Sequence, residues 1–285
     1  MTLTTRFAPS PTGPLHLGHA YSALLAHDLA IAAGGKFLLR IEDIDQSRAR
    51  PKWEAQIYED LAWLGIDWPQ PVMRQSDRMA AYHVALDDLW ARGLVYACTC
   101  NRRDIAAATN APQEGAEPVY GPDGLIYPGT CRDAGHPKAS GALRLDMRKA
   151  LASLRNRALS FTENGHGPKA ETGPITLSPD ELTATVGDVV LARRDMGTSY
   201  HLSVVLDDAA QGITLVPRGA DLFAATYIHV VLQALLDLPT PHYHHHRLIR
   251  DEGGKRLAKR DDARAIALYR KTGMTPEDIR SMVGL

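Results

Sequence analysis

The feature that most constrains this chain is the segment Arg6–His19, which reads RFAPSPTGPLHLGH. A short apolar stretch leads into a turn rich in Pro and Gly, and two histidines follow at the predicted start of a helix. A helix N-terminus can bind phosphate, because it offers unpaired N–H groups and a partial positive charge. His16 and His19 are three residues apart and would share one helix face, while Gly18 would let a flat base approach the backbone. The segment therefore indicates a nucleotide site.

The residues around this segment predict a strand–helix–strand unit. We expect residues 5–9 to form a strand, a helix to run from about Leu17 to Ala33 before Gly34 and Gly35, and Lys36–Ile41 to form a second strand. This order indicates an α/β fold with a parallel sheet. Further helices are predicted at residues 51–64, 79–92, 221–236, 262–271 and 275–282, and strand-like segments at 186–193 and 212–217.

From Cys98 to Gly173 the chain is rich in Gly, Pro, Asn and Lys/Arg and carries all three cysteines, and this change of composition suggests an insertion. The 285 residues are 45% hydrophobic and 23% charged, which is typical of a globular protein, and the net charge of −1 requires any nucleic-acid surface to be a local basic patch. No apolar run approaches the roughly 20 residues of a membrane span, and no secretory signal is visible, so we expect a cytoplasmic protein. The expected divisions are 1–97 and 186–238 for the two halves of a main domain, 98–185 for an insertion, and 239–285 for a basic loop with C-terminal helices.

Two further clusters carry charges suited to substrate binding. Arg40–Asp45 (RIEDID) follows the second strand, where ligands of open α/β sheets bind, and its carboxylates could accept an ammonium group or ribose hydroxyls. The alternative is a solvated acidic loop. Gly253–Arg260 (GGKRLAKR) places four cations after two glycines and could clamp phosphates, although such a segment is also common as a basic surface loop.

Taken in order, these three clusters resemble the hallmarks of class I glutamyl-tRNA synthetases. His16–His19 (HLGH) corresponds to their HIGH signature and Arg256–Arg260 (RLAKR) to their KMSKS signature. The resemblance implies a Rossmann-like class I catalytic domain with a zinc-binding insertion and a small C-terminal helical segment. Similar segments also occur at Gly187–Leu191, Asp195–Tyr200, Val204–Asp208 and Arg218–Leu222.

Two features make the chain more similar to glutamyl-Q tRNA(Asp) synthetases, short paralogues that attach glutamate to the queuosine base of tRNA(Asp). Only about 25 residues follow the basic loop, fewer than the roughly 50 that a small domain needs, so no anticodon-binding domain is expected. Cys98 and Cys100, followed by Tyr127 and Cys131, resemble the Cys-x-Cys…Tyr-x3-Cys zinc site of that family.

The resemblance implies a role for each matching residue. Arg6, Phe7, Ala8, Pro9 and Ser10 would line the glutamate pocket, Glu42 would accept the α-ammonium group, and Tyr200 and Arg218 would make later glutamate contacts; which arginine holds the side-chain carboxylate stays open. His16, Gly18, His19 and Lys259 would bind ATP, and His16, His19 and Lys259 would be catalytic. The implied partners are L-glutamate, ATP with Mg²⁺ and the anticodon arm of queuosine-containing tRNA(Asp), for a monomer that does not bind membranes.

The zinc hypothesis also has support from the residue types. Thiolates suit Zn²⁺, but structural sites usually have four protein ligands and the chain has three cysteines. Tyr127 fits the spacing of the family, with Tyr120 and His136 as nearby substitutes. The alternative is three unrelated reduced cysteines. His242 and His244–His246 are assigned structural or surface positions instead of a metal site.

Two departures from the KMSKS signature leave other functions open. Arg256 replaces its first lysine and Ala258 replaces its serine, which removes a hydroxyl group. A catalytically silent module that binds glutamate, a nucleotide or RNA is therefore one alternative. A truncated glutamyl-tRNA synthetase that acts at the tRNA 3′ end is another.

Overall fold

The structure is a computed structural model that describes residues 2–110, 119–249 and 265–285. The described helices are α1 (Leu17–Ala32), α2 (Pro51–Trp63), α3 (Met79–Ala91), α4 (Arg102–Asn110), α5 (Met147–Ser153), α6 (Pro179–Thr185), α7 (Tyr200–Ala210), α8 (Ala225–Leu235), α9 (Ile266–Lys271) and α10 (Pro276–Val283). The described strands are β1 (Thr4–Phe7), β2 (Lys36–Ile41), β3 (Met73–Arg74), β4 (Val95–Cys98), β5 (Tyr120–Gly121), β6 (Gly124–Leu125), β7 (Ala142–Leu145), β8 (Ser160–Glu163), β9 (Gly173–Thr176), β10 (Val190–Ala192), β11 (Leu215–Gly219) and β12 (His242–His246).

The main sheet has the parallel order that the N-terminal strand–helix–strand unit predicts. β1 pairs with β2 and β2 with β3, while β11 pairs with β12 and β12 with β8, all in parallel. The two groups meet where the backbone N–H of Thr214 donates to the carbonyl of Thr4 at 3.0 Å. The carboxyl ends of β1, β2, β11, β12 and β8 therefore lie along one edge, where a doubly wound sheet binds its ligand. The predicted Rossmann-like fold is confirmed.

Helix α1 begins and ends close to the predicted residues. His16 caps its N-terminus, and Gly34 follows its end with a φ of 61°, a left-handed conformation that glycine adopts without strain. Gly35 is needed for a different reason, because a Cβ there would lie 2.2 Å from the carbonyl oxygen of Leu3 at the start of β1. The glycine pair thus ends the helix and lets the chain turn back beside the first strand.

The insertion contributes to two sheets. β4, β7 and β10 form a separate antiparallel sheet, so the strand-like segment predicted at residues 186–193 pairs with β7 instead of the parallel sheet. β8 and β9, which also lie within residues 98–185, extend the parallel sheet beside β12. Strand pairing therefore does not follow the expected limits of the insertion.

Some helices differ from their predicted bounds. The segment 221–236 divides into a 3-10 turn at Ala220–Leu222 and α8, and the helix predicted from residue 262 is described from Ile266 onward. Apolar residues fill two cores, one around α1 and the first strands and one around α7, α8 and the insertion sheet. Within the described residues no helix is both long and apolar enough to cross a membrane.

Candidate active site

The strand ends deliver most of the predicted glutamate-binding residues to one cavity. Arg6, Phe7 and Ala8 at the end of β1, Glu42 after β2 and Arg218 at the end of β11 line a cavity of about 370 Å³ together with Tyr200, the first residue of α7. An adjoining cavity of about 420 Å³ shares Glu42 and Tyr200 and includes Ser10. Pro9 lines neither, but its carbonyl accepts the backbone N–H of Glu42 at 3.0 Å and so joins the two loops.

A buried ion network fixes the acidic side of this cavity. Asp208 on α7 accepts from Arg40 Nη1 at 2.6 Å and from Arg6 Nε at 3.1 Å. Arg40, which is fully buried in β2, also donates from Nη2 to Glu42 Oε1 at 3.1 Å. Since buried charges are stable only when paired and hydrogen-bonded, these contacts hold both Arg6 and Glu42 in place.

The network gives its two carboxylates opposite pKa shifts. Burial opposes the charge of Asp208, but Arg6 and Arg40 outweigh it and lower the pKa of this carboxyl below its ordinary value. Burial raises the pKa of Glu42 above its ordinary value, and the attraction of Arg40 and Arg6 only partly offsets this effect. A cation entering the cavity would stabilise ionised Glu42, which is the behaviour required of an ammonium receptor.

Arg218 differs from the other buried arginines of the site because its partners are uncharged. Its side chain donates to His245 and Thr226 and contacts His229, and in the described part of the chain it forms no ion pair with a carboxylate. The residue is only 5% exposed. A buried guanidinium with a preserved positive charge is well suited to bind an anion from the cavity.

The predicted nucleotide turn has both histidines at the start of α1. His16 Nδ1 accepts the backbone N–H of Gly18 at 3.1 Å, and His19 Nδ1 accepts that of His16 at 3.1 Å. The two rings lie 3.8 Å apart between centroids. Because each Nδ1 accepts a hydrogen bond, a neutral ring carries its proton on Nε2. A Cβ at Gly18 would lie 3.1 Å from His16 Cε1, so glycine also leaves room for the His16 ring.

The three cysteines and Tyr127 come together in the insertion. The three sulfur atoms lie within 4.8 Å of one another, and the Tyr127 hydroxyl is 3.3 Å from Cys98 Sγ and 3.5 Å from Cys100 Sγ. Cys100 and Cys131 have their sulfur atoms 3.4 Å apart. A tetrahedral zinc ion with Zn–S distances of about 2.3 Å separates its ligands by about 3.8 Å. The donor set therefore fits zinc.

The alternative fourth ligands are less well placed. His136 Nε2 lies 3.5 Å from Thr99 Oγ1 and is not part of the cysteine cluster. Tyr120 is 73% exposed, whereas Tyr127 is 4% exposed. Burial opposes ionisation of Cys131, but hydrogen bonds, first from Tyr127, outweigh it and lower its pKa to about 6, which favours a thiolate. Burial instead raises the pKa of Cys100 to about 11.

The remaining predicted residues belong to the basic loop, the acidic cluster and the histidines of β12. Lys259 and the rest of the basic loop lie outside the described residues. In the acidic cluster, Asp43 accepts from the backbone N–H and the hydroxyl of Ser76, at 2.8 and 2.7 Å, and so joins two loops. His245 and His246 are buried in β12.

Sequence reasoning missed several residues that support the cavity. Two signals are available, because Arg40 directly follows the apolar run Phe37–Leu39 in β2, and Asp207 and Asp208 directly follow the apolar run Val204–Leu206 in α7. The residues without a role assigned from the sequence are Asp207, Asp208, Thr226, His229, His201 and Glu163. Arg40 belongs to the predicted charged cluster Arg40–Asp45, and His245 is predicted to be structural or surface, but their contacts with the site are not predicted.

Comparison with known proteins agrees with this fold and site. The family model described as "tRNA synthetases class I (E and Q), catalytic domain" matches residues 2–285, so the chain has the catalytic domain of a class I tRNA synthetase. It is 62% identical to the glutamyl-Q tRNA(Asp) synthetase of Rhodobacter capsulatus over 99% of this chain and 100% of the relative. The relative of the same name from Nocardia farcinica is 41% identical over 98% of this chain and 82% of the relative. This chain belongs to the glutamyl-Q tRNA(Asp) synthetase family.

A solved structure supports the class I synthetase fold. The glutamate tRNA ligase of Elizabethkingia meningosepticum, crystallised with its amino acid, superposes with a TM-score of 0.73 and 26% identity. The match covers all of this chain but 61% of the ligase chain, which is less than two thirds of that protein.

Proposed function

We propose that the chain activates glutamate with ATP and transfers it to the queuosine base of tRNA(Asp). The glutamate α-carboxylate attacks the α-phosphate of ATP in line, forming glutamyl-adenylate and releasing pyrophosphate. A hydroxyl group of the queuosine cyclopentenediol then attacks the acyl carbon and releases AMP. Neither step requires a nucleophile from the protein, so rate enhancement comes from positioning and from positive charge at the phosphates.

The observation that carries this proposal is the charge pattern of the cavity. Glu42 is a buried acid whose ionised form an entering cation would stabilise, and Arg218 is a buried cation whose described partners are neutral. Both line one cavity with Arg6 and Tyr200. An amino acid with one ammonium and two carboxylate groups complements this pattern, with Glu42 as the ammonium acceptor. Ser22 of α1 also lines this cavity and donates its hydroxyl to the Gly18 carbonyl at 3.1 Å, which favours ATP at the neighbouring His16 and His19.

The names of the relatives support queuosine-containing tRNA(Asp) as the acceptor. ATP would enter with Mg²⁺, and Gly18 and Lys259 would complete the nucleotide site with the two histidines. We further propose that the enzyme acts as a monomer in the cytoplasm, where its tRNA substrate and ATP are available.

The acceptor is tested by acylation with radiolabelled glutamate. We expect label to be transferred to queuosine-containing tRNA(Asp), to survive removal of the tRNA 3′ end, and to be absent from tRNA(Asp) that lacks queuosine. Label that requires the 3′ end would instead identify a glutamyl-tRNA synthetase activity. Glutamate-dependent ATP–pyrophosphate exchange without tRNA tests the activation step, and its absence would favour a silent binding module.

We also propose that the insertion holds one structural Zn²⁺ with Cys98, Cys100, Cys131 and Tyr127 as ligands. When bound, the ion would join the segment at the end of β4, which carries Cys98 and Cys100, to the segment that carries Tyr127 and Cys131. Burial raises the pKa of Tyr127 when no metal is bound. Arg144, whose guanidinium carbon lies 4.0 Å from the centroid of the Tyr127 ring, would help to stabilise a phenolate bound to zinc.

Replacing the tyrosine ligand should weaken zinc binding. We expect Tyr127→Phe to lower zinc affinity by at least about tenfold, measured by competition with a chromophoric chelator. Tyr120→Phe is the matched control, because it removes the same atom from an exposed side chain, and it should have wild-type affinity. Wild-type affinity for Tyr127→Phe together with weak binding by His136→Ala would identify His136 as the fourth ligand.

A further inference from the structure

The guanidinium group of Arg218 is surrounded by uncharged acceptors. Its Nε donates to His245 Nε2 at 3.1 Å, its Nη2 donates to Thr226 Oγ1 at 2.6 Å, and its Nη1 lies 3.2 Å from His229 Nδ1. An arginine has five N–H donors and no acceptor, so both imidazole nitrogens must accept these hydrogen bonds. The three contacts use one N–H on each nitrogen and leave a second N–H on each Nη atom for a ligand.

Each histidine has a partner behind it that fixes its tautomer, which is Glu163 for His245 and the His201 ring for His229. His245 Nδ1 donates to Glu163 Oε2 at 2.5 Å, and Glu163 also accepts the backbone N–H of Gly165 at 2.7 Å. On the other side, His229 Nε2 lies 3.2 Å from His201 Nδ1, and His201 Nε2 lies 3.5 Å from Asp123 Oδ1. Both carboxylates are therefore separated from Arg218 by at least one imidazole ring.

The histidines stay neutral in this environment. Burial, followed by the positive charge of Arg218, holds the pKa of His229 well below its ordinary value. Burial also lowers the pKa of His245, and the hydrogen bond to Glu163 only partly opposes it. His229 is 2% exposed and His245 is 1% exposed, so bulk water does not replace these contacts.

We propose that His229 and His245 are positioning residues that orient Arg218 without neutralising its charge, and thereby make the site selective for a carboxylate over a carboxamide. This inference rests on the proposed function, because it takes the anion to be glutamate bound to Arg218. A carboxylate at either histidine position would orient the guanidinium equally well but would compete with the ligand. A neutral acceptor avoids that competition, so Arg218 forms an ion pair only when an anionic ligand enters.

The isosteric variants His229→Glu and His229→Gln separate charge from shape. Both keep an acceptor oxygen for Arg218, but only the glutamate side chain can pair with its charge. We expect the KM for glutamate in ATP–pyrophosphate exchange to be at least about tenfold higher for His229→Glu than for His229→Gln. The KM for ATP should agree between the two variants within about twofold. In His229→Glu, the affinity for glutamine as an inhibitor should rise relative to the affinity for glutamate. If His229 had only a structural role, its variants would change the KM for glutamate and the KM for ATP together.

A second variant covers the case in which His229→Glu does not fold. Thr226→Val keeps the shape of the side chain but removes the acceptor of Nη2, so it should raise the KM for glutamate by about threefold to tenfold without changing that for ATP. His242→Gln, a change at an exposed histidine of β12, is the control and should match the wild type.

The possible failures are distinguishable. Equal KM values for glutamate in folded His229→Glu and His229→Gln would overturn this inference alone. If His229→Glu does not fold, an unchanged KM for glutamate in Thr226→Val would do the same. If Arg218→Gln binds glutamate as the wild type does, the glutamate role of Arg218 is overturned as well. If the wild-type protein catalyses no glutamate-dependent exchange, the proposed function itself fails.

Discussion

Arg218→Gln should abolish most glutamate activation while leaving ATP binding nearly intact. The change removes a buried charge that would pair with a substrate carboxylate, and breaking such a hydrogen-bonded pair costs about 2–5 kcal/mol. This corresponds to a decrease of about 30-fold to several thousand-fold in kcat/KM for glutamate. Arg218→Lys should retain part of the activity, because it keeps the charge but not the planar arrangement of donors. ATP–pyrophosphate exchange at varied glutamate and ATP concentrations measures both effects.

The control for this experiment is Arg148→Gln, which removes the same charge from an exposed side chain on α5. Its kinetics should match those of the wild type. A wild-type KM for glutamate in folded Arg218→Gln would exclude Arg218 as the carboxylate receptor and leave Arg6 as the remaining arginine in the cavity.

Asp208→Asn should lower the free energy of unfolding more than any other substitution proposed for this protein. Asp208 is the shared acceptor of Arg6 and Arg40, and its loss would leave two buried guanidinium groups without their main anion. Breaking a buried ion pair by removing one partner costs about 3–5 kcal/mol in the free energy of unfolding. The exposed pair of Asp195 with Arg193 provides the matched control, and Asp195→Asn should change stability by about 1 kcal/mol or less. Urea denaturation at pH 7 compares the variants.

The pH dependence gives a second test of Asp208. Its pKa in the folded protein lies below the ordinary value of 3.8, so the stabilising contribution is complete above that value. The contribution is lost as pH falls through the lowered pKa, because protonation then removes the charge. The free energy of unfolding should therefore fall more steeply with decreasing pH for the wild type than for Asp208→Asn. Parallel stability curves for the two proteins below pH 4 would contradict this assignment.

The sequence was most informative where structure and chemistry are encoded by neighbouring residues. The HLGH turn and the glycine pair that ends α1 depend on local contacts, and the structure has them near their predicted positions. The cysteine cluster joins two distant segments, and it is predicted from its resemblance to the zinc site of the family. The partners of Arg218 could not be predicted in this way. They come from α8 and β12, with Glu163 from β8 behind them, and only the parallel pairing of β11, β12 and β8 makes them neighbours.

The same limit explains the outcome for the insertion. Composition marks where residues 98–185 begin to differ, but it does not reveal that β8 and β9 leave the insertion to join the main sheet. Strand pairing between distant segments depends on the register and burial of the whole sheet. Arg40 and Asp208 were similarly visible as unusual charges in apolar segments, whereas their mutual contact required the folded arrangement of β2 and α7.

The hairpin of β5 and β6 links two chemically different parts of the molecule. Asp123 in its turn contacts His201 at the cavity, and Tyr127 follows the hairpin into the cysteine cluster. Zinc bound at one end and glutamate bound at the other, as proposed above, would therefore both depend on the ordering of the same short segment. By thermodynamic linkage, if bound zinc increases the affinity for glutamate, bound glutamate must increase the affinity for zinc by the same factor. Any such coupling would make the apparent affinity for glutamate depend on zinc occupancy.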